Sequence, residues 1–207
     1  MEHWELEQEA AAAGYTAVCG VDEAGAGPLA GPVYAAAVIL PFGLELPYLN
    51  DSKQVTPKRR DRLFDLIREQ AVAWSIASVS AEEIDEIDIL NARMKAMQLA
   101  IDGLTPAADF ALIDGNRDHG SRCAIITAHE TMVKGDNRSP SIAAASILAK
   151  VSRDRYMEEL ADTYPQYRFE QHKGYPTKLH YEMLDQFGPS PVHRKTFLAK
   201  WEAKGRG

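Results

Sequence analysis

The sequence has little cysteine: Cys19 and Cys123 are the only two in 207 residues, and neither belongs to a CxxC pair. That excludes a disulfide-stapled scaffold and a thiolate zinc site, and it points to a reducing compartment, so a cytoplasmic location is expected. Long apolar runs are also missing. The longest, Val33 to Leu40, falls far short of the roughly 20 residues that cross a bilayer, and no membrane partner is expected. The opening MEHWELEQEA is acidic and lacks the basic-then-apolar order of a secretion signal. Overall positive charge is absent as well, at a net −7. Its distribution is uneven, however. Residues 1–133 carry 10 Lys+Arg against 21 Asp+Glu, giving −11, whereas residues 134–207 carry 13 against 9, giving +4. An acidic front and a basic back leave room for a polyanionic partner despite the total, although scattered surface charge gives the same sums. With 45% hydrophobic and 26% charged residues, the chain is neither disordered nor fibrous.

What is present reads as an α/β layer fold. Ala17 to Val21 and Val33 to Leu40 are apolar and rich in small and β-branched residues, and the glycine-rich EAGAGPLAGP joins them, a pattern of two strands and a loop. Thr56 followed by Pro57 opens a helix with an apolar stripe at Leu63, Phe64, Leu66 and Ile67. Val72 to Val79 is a third strand. Ile84 to Leu104 holds two helical stretches, and Phe110 to Ile113 and Ala124 to Thr127 are two short buried strands. A long alanine-rich helix is expected over Ile142 to Leu160, followed by helices at Thr177 to Phe187 and His193 to Glu202. A hairpin followed by strands interleaved with helices implies a mixed sheet.

Acidic residues stand directly after predicted strands. Asp22 and Glu23 close the first strand in VCGVDEAG, Asp114 closes another in ALIDGN, and Asp136 in KGD precedes the long helix. Each alone fits a turn or cap residue before glycine. Together they place carboxylates where the ends of parallel strands converge. Such a group cannot ionise fully without a counter-charge, and hard divalent cations supply one. A pair of ions suits in-line displacement at phosphorus. One stereochemical difficulty stands: neighbours on a strand face opposite ways. Either the strand breaks at Glu23, or Glu23 acts partly through its backbone carbonyl.

The blocks GVDEAGAGPLAGPV, LNDSKQVTPKRR, LIDGN, KGD with SIAAASILAKVSRD, and HKGYPT, taken in order, resemble ribonuclease HII of the bacterial type. The resemblance spans residues 17–197. It implies a ribonuclease H-like fold, a mixed five-stranded sheet flanked by helices with a C-terminal helical extension. The expected divisions are an acidic segment over residues 1–15, a catalytic unit over 16–176 and the extension over 177–207. It implies a monomeric endoribonuclease that cuts the RNA strand of RNA–DNA hybrids and cuts 5′ to single ribonucleotides in duplex DNA. Its products would carry 5′-phosphate and 3′-hydroxyl ends, and its role would lie in replication and repair. Asp22, Glu23, Asp114 and Asp136 would hold up to two Mg²⁺ or Mn²⁺ ions, with Asp136 either a ligand or a helper in proton handling. The loop of Gly25, Ala26 and Gly27 would read the ribose 2′-hydroxyl through main-chain groups. Tyr175 would stack on the sugar at the junction with DNA, and Lys53, Lys134 and Ser146 would contact phosphates. His172 is either a nucleic-acid contact or a satisfied surface histidine. Lys178, Arg194, Lys195 and Lys200 would grip the duplex backbone.

One position departs from the pattern. The family loop is Gly-Arg-Gly, and here it reads Gly25-Ala26-Gly27. Loss of a charge-assisted phosphate contact implies weaker substrate binding. A binding module with decayed catalysis is the competing class, but a pure binder of polyanions gains nothing from a concentrated negative pocket.

Overall fold

In the computed structural model, residues 4–49 and 55–204 are described; Lys53 lies outside them. Strand β1 (Val18–Ala24) pairs antiparallel with β2 (Val33–Ile39), placing Asp22 opposite Ala36 and Glu23 opposite Ala35. Strand β3 (Ala73–Val79) extends the sheet beyond β2, again antiparallel. On the other side β4 (Phe110–Asp114) runs parallel to β1, and β5 (His129–Met132) runs parallel to β4. The order β3-β2-β1-β4-β5 makes a mixed five-stranded sheet.

The alternation of side chains along the strands gives the sheet two apolar faces. On one, Cys19, Val21, Ala35, Ala37, Ala111 and Ile113 meet Met94, Met97 and Ile101 of helix α4 (Ile89–Asp102). On the other, Ala36 and Val38 meet Ala143, Ala144 and Ile147 of helix α5 (Pro140–Thr163). Helix α2 (Pro57–Gln70) adds Leu63, Phe64 and Ile67 to that layer. The alanines that open α5 let it lie close on the sheet. A Cβ at Gly20 would sit 2.1 Å from the backbone of Ser141 and Ile142, so a side chain there would push helix and strand apart. Helix α1 (Glu5–Ala12) is anchored at the same place, where Ser139 caps α5 and donates from Oγ to Glu7 Oε1 at 2.6 Å. The short helix α3 (Ala81–Ile87) precedes α4, and Asp88, at φ +67°, divides the two and caps the second.

A third apolar cluster continues past the sheet. It joins Leu29, Ala30, Met157 and Leu160 to Tyr167, Phe169, Leu184 and Leu198. These come from the β1–β2 loop, the second half of α5, helix α6 (Phe169–His172), helix α7 (Lys178–Phe187) and the approach to helix α8 (Ala199–Lys204).

Two expected elements differ. Residues 124–127 form no strand; the fifth strand is the more polar His129–Met132. Although Ile125 is buried, its neighbour Ile126 is 82% exposed. The segment's N–H groups go elsewhere: Ile125 donates to the Asp118 carbonyl and Ile126 to Gln98 Oε1 at 2.7 Å. The sheet edge thus falls to a polar strand. Nor is 193–202 one helix. Arg194 is extended, and Asp85 accepts from the N–H groups of Lys195 and Thr196, so a single 3₁₀ turn forms before α8.

Candidate active site

Asp22 and Asp114 hold equivalent positions on the two central parallel strands, each one residue beyond the Val21–Ile113 pair, Asp114 closing β4 and Asp22 standing two residues before the end of β1. Both belong to the α5 face: Ala36, opposite Asp22, packs under α5, and Leu112, two residues before Asp114, packs on Ile142. Asp136 sits in the 3₁₀ turn (Gly135–Asn137) that leads into α5, and it is buried. The N–H of Gly135 donates to Asp114 Oδ1 at 2.8 Å. That bond ties the turn carrying Asp136 to the end of β4. Burial pushes the Asp22 carboxyl well above its ordinary value, and the charges of Glu23 and Asp114 add to the effect. The N–H of Glu23, 2.7 Å from Asp22 Oδ1, and the hydroxyl of Ser146 on α5 pull it partly back.

Glu23 behaves differently. Strand β1 does not break there but runs on to Ala24, so Glu23 keeps the opposite facing, over α4. Its carboxylate is met by Arg93 of α4, with Nη2 2.5 Å from Oε1. Burial raises the Glu23 carboxyl and Arg93 lowers it. Even so, Glu23 stands at the strand end within the electrostatic reach of Asp22 and Asp114. Among the described residues, no three His, Cys, Asp or Glu side chains already enclose a point where an ion would sit. The carboxylates are gathered but not drawn in. As a donor set they nonetheless suit a hard divalent cation: they are oxygen ligands, and the charges of Glu23 and Asp114 raise the cost of ionising Asp22.

Beside them opens a cleft of about 390 Å³, lined by Glu23, Gly25, Ala26, Gly27, Arg60, Ser146, Lys150 and Tyr175. The glycine loop, Ser146 and Tyr175 were all expected at a common site. Arg60 and Lys150 were not singled out from sequence, because a lone basic residue on a helix reads as a solvated face. Tyr175 is 37% exposed, and the Lys150 ammonium and Arg153 guanidinium lie 5.7 and 5.6 Å from its ring centre. Gly25 is obligatory on two counts: its φ is +94°, and a Cβ would fall 2.0 Å from Arg153 Nε. Gly27 has open space instead, with nothing within 4 Å of a Cβ.

Two of the expected nucleic-acid contacts, Arg194 and His172, take other places. Arg194 is fully buried and donates to the carbonyls of Gly25, Ala26 and Gly31, so it does not face a duplex. His172 is buried and not on the surface as expected; its Nε2 meets the Tyr167 carbonyl and its Nδ1 accepts from the N–H of Gly174, so it is satisfied inside the fold. Lys134, at φ +57°, is exposed at the turn before Asp136. Lys178 and Lys195 are exposed. No helix among the described residues is long and apolar enough to cross a membrane.

Comparison with known proteins adds independent evidence. A family model described as Ribonuclease HII matches residues 19–202. A ribonuclease HII of Shouchella clausii is 54% identical over 194 residues, covering 94% of this chain and 73% of the relative. One of Geobacter sulfurreducens is 50% identical over 202 residues, covering 98% and 91%. The crystal structure of the ribonuclease H2 from Pyrococcus horikoshii OT3 superposes with a TM-score of 0.74 at 26% identity, covering 92% of this chain and 99% of that one.

Proposed function

We propose, from the premise that this chain belongs to the ribonuclease HII family and is therefore a ribonuclease H-type hydrolase, that it is a divalent-metal-dependent endonuclease. It cuts the RNA strand of RNA–DNA hybrids and cuts duplex DNA 5′ to a single embedded ribonucleotide, leaving 5′-phosphate and 3′-hydroxyl ends. The observation that carries this reading is the placing of Asp22 and Asp114 at the adjoining ends of β1 and β4. The Asp136 turn is hydrogen-bonded to Asp114, and the glycine-loop cleft opens alongside.

Asp22, Asp114 and Asp136 would hold the ions, Mg²⁺ or Mn²⁺, with Glu23 contributing through its carboxylate or backbone carbonyl at the strand end. When bound, the ions supply Lewis acidity for an in-line displacement at phosphorus. The protein's own residues bind and orient. Lys150 and Arg60 set positive charge along the cleft where the nucleic-acid backbone runs. Tyr175, steadied by the cations beside it, offers a ring face to a sugar. The main chain of residues 25–27 meets the ribose, whose 2′-hydroxyl is the one group that distinguishes it from deoxyribose. With alanine at position 26, the loop lacks a side-chain cation, and substrate binding is weaker than an arginine there would give.

The test is cleavage of two substrates, a long hybrid and a duplex with one ribonucleotide, each in Mg²⁺, in Mn²⁺ and in a chelator. Cutting in either metal and none in the chelator is expected. Asp136→Asn should lose most turnover while keeping hybrid binding. Full activity in that variant removes Asp136 from the site, and cutting that persists in the chelator overturns the metal-dependent reading.

A further inference from the structure

Two arginines, Arg153 of α5 and Arg194 of the segment before α8, are fully buried. Among the described residues neither meets a carboxylate; both spend their donors on carbonyl oxygens. Arg153 donates to Pro32 at 3.1 Å, Ala30 at 3.2 Å and Lys173 at 3.0 Å. Arg194 donates from Nε to Gly31 at 2.9 Å, from Nη1 to Ala26 at 3.1 Å and from Nη2 to Gly25 at 2.7 Å. Burying two guanidiniums that repel each other is costly, and a mere loop anchor needs no such arrangement.

The peptide unit explains what it accomplishes. In a planar trans peptide the C=O and the following N–H point in opposite directions. The carbonyls of Gly25 and Ala26 are drawn inward onto Arg194. The N–H groups of Ala26 and Gly27, which share those two peptide planes, must therefore point away from it, toward the cleft that these residues line. Among the described residues neither N–H has a hydrogen-bond acceptor in the protein. Two adjacent outward N–H groups on a fixed loop form a ready pair of donors for a ligand oxygen.

We propose that Arg194 is a positioning residue for ribose recognition: by holding the carbonyls of Gly25 and Ala26, it presents the N–H groups of Ala26 and Gly27 to the ribose 2′-oxygen. The inference rests on the reading of residues 25–27 given above. Arginine is required because its planar fork spans three carbonyls at once, whereas a lysine ammonium is a compact point charge.

The experiment compares wild type with Arg194→Lys, measuring KM for a single-ribonucleotide duplex and Ki for the same duplex in all-DNA form as competitor. The expected result is a roughly tenfold fall in the Ki/KM ratio, the worth of about one well-placed hydrogen bond, with Ki itself little changed. An unchanged ratio, or equal weakening of KM and Ki, gives Arg194 a purely structural role and overturns the proposal. If wild type itself shows no preference for the ribonucleotide duplex, the underlying loop reading fails instead. Should Arg194→Lys not fold, ¹⁵N-labelled wild type in a chelator decides. The amide signals of Ala26 and Gly27 should shift on titration with the ribonucleotide duplex and not with its all-DNA form, and an absence of shift at both overturns the proposal.

Discussion

Arg93 Nη2 lies 2.5 Å from Glu23 Oε1, linking the first half of α4 to the end of β1. Both side chains are mostly buried, and the buried Arg93 Nε has no acceptor among the described residues. Losing either partner strands the other in a poorly solvated place. Arg93→Met is expected to destabilise the protein by about 1–3 kcal/mol, below the range for a fully buried pair because some water reaches it. Adding Glu23→Gln to that variant should recover more than half of the loss. Urea unfolding of the two single variants and the double variant measures this, and additive effects would show that the pair is uncoupled.

The carboxylate group predicts a conflict between stability and activity. Asp22 is disfavoured as an anion by its own burial and by Glu23 and Asp114. Asp22→Asn keeps the shape and removes one charge from this group. In a chelator at pH 8 the variant should melt a few degrees higher than wild type, since about 1 kcal/mol corresponds to roughly 2–4 °C at this size, while cleavage falls by at least about 100-fold. A lower melting temperature would show that the Asp22 charge stabilises the fold and is not strained by its neighbours.

Much of this was legible in the sequence, for a physical reason. Asp22, Asp114 and Asp136 stand where a strand end or a turn fixes the backbone, so local pattern and three-dimensional position coincide. The long helix and both hairpin strands were likewise readable, because Ala36, Val38, Ala143 and Ile147 are apolar for their burial. What stayed hidden depended on side chains far apart in sequence. Nothing local marks Arg194 as a residue that reaches 169 positions back to Gly25, so it was read as a duplex contact. Nothing marks Arg93 as the partner of Glu23. The strand expected at 124–127 failed for a related reason. Its apolar composition was right for burial at Ile125, but Gln98, on α4, claims the backbone N–H that a ladder would have used.

Under the Tyr175 loop lies a stack of buried histidines that sets an acid limit. His172 and His180 stack with ring centres 4.3 Å apart, and His180 Nε2 meets His193 Nε2 at 3.0 Å. His180 Nδ1 hydrogen-bonds the Tyr175 carbonyl, and His193 Nδ1 accepts from the Ser190 N–H. Burial pushes His180 and His193 down to about 4, and His172 is lowered by the same cause. A folded-state value below the unfolded value, about 6.5, means that the unfolded chain binds protons first as pH falls. The contribution is therefore fully present above about pH 6.5 and is lost on the way down to about pH 4. Denaturant unfolding at pH 7.5 and pH 5 should show a marked drop, and His193→Gln, which cannot take up a proton, should flatten it. Equal wild-type stability at the two pH values would mean that the cluster is not held neutral.

Position 26 gives the most direct test of how charge is placed along the cleft. The Ala26 carbonyl is turned inward onto Arg194 at 3.1 Å, but the residue lines the cleft with Lys150 and Arg60, so a longer side chain there has a substrate to meet. Ala26→Arg adds one cation able to hold a phosphate through two hydrogen bonds. KM for a single-ribonucleotide duplex should fall by about 3- to 30-fold, with kcat changed far less, because phosphate contact contributes alike to ground and transition states. The same contact releases counterions, so the logarithm of affinity should fall more steeply with the logarithm of salt, by close to one unit of slope. These two readouts separate the possible causes. A lower KM with an unchanged salt slope would mean that the arginine packs against the protein and tightens the loop. A steeper slope with an unchanged KM would mean that it meets a phosphate only by displacing Lys150 or Arg60 from theirs. Only the two changes together identify position 26 as the site of an added phosphate contact.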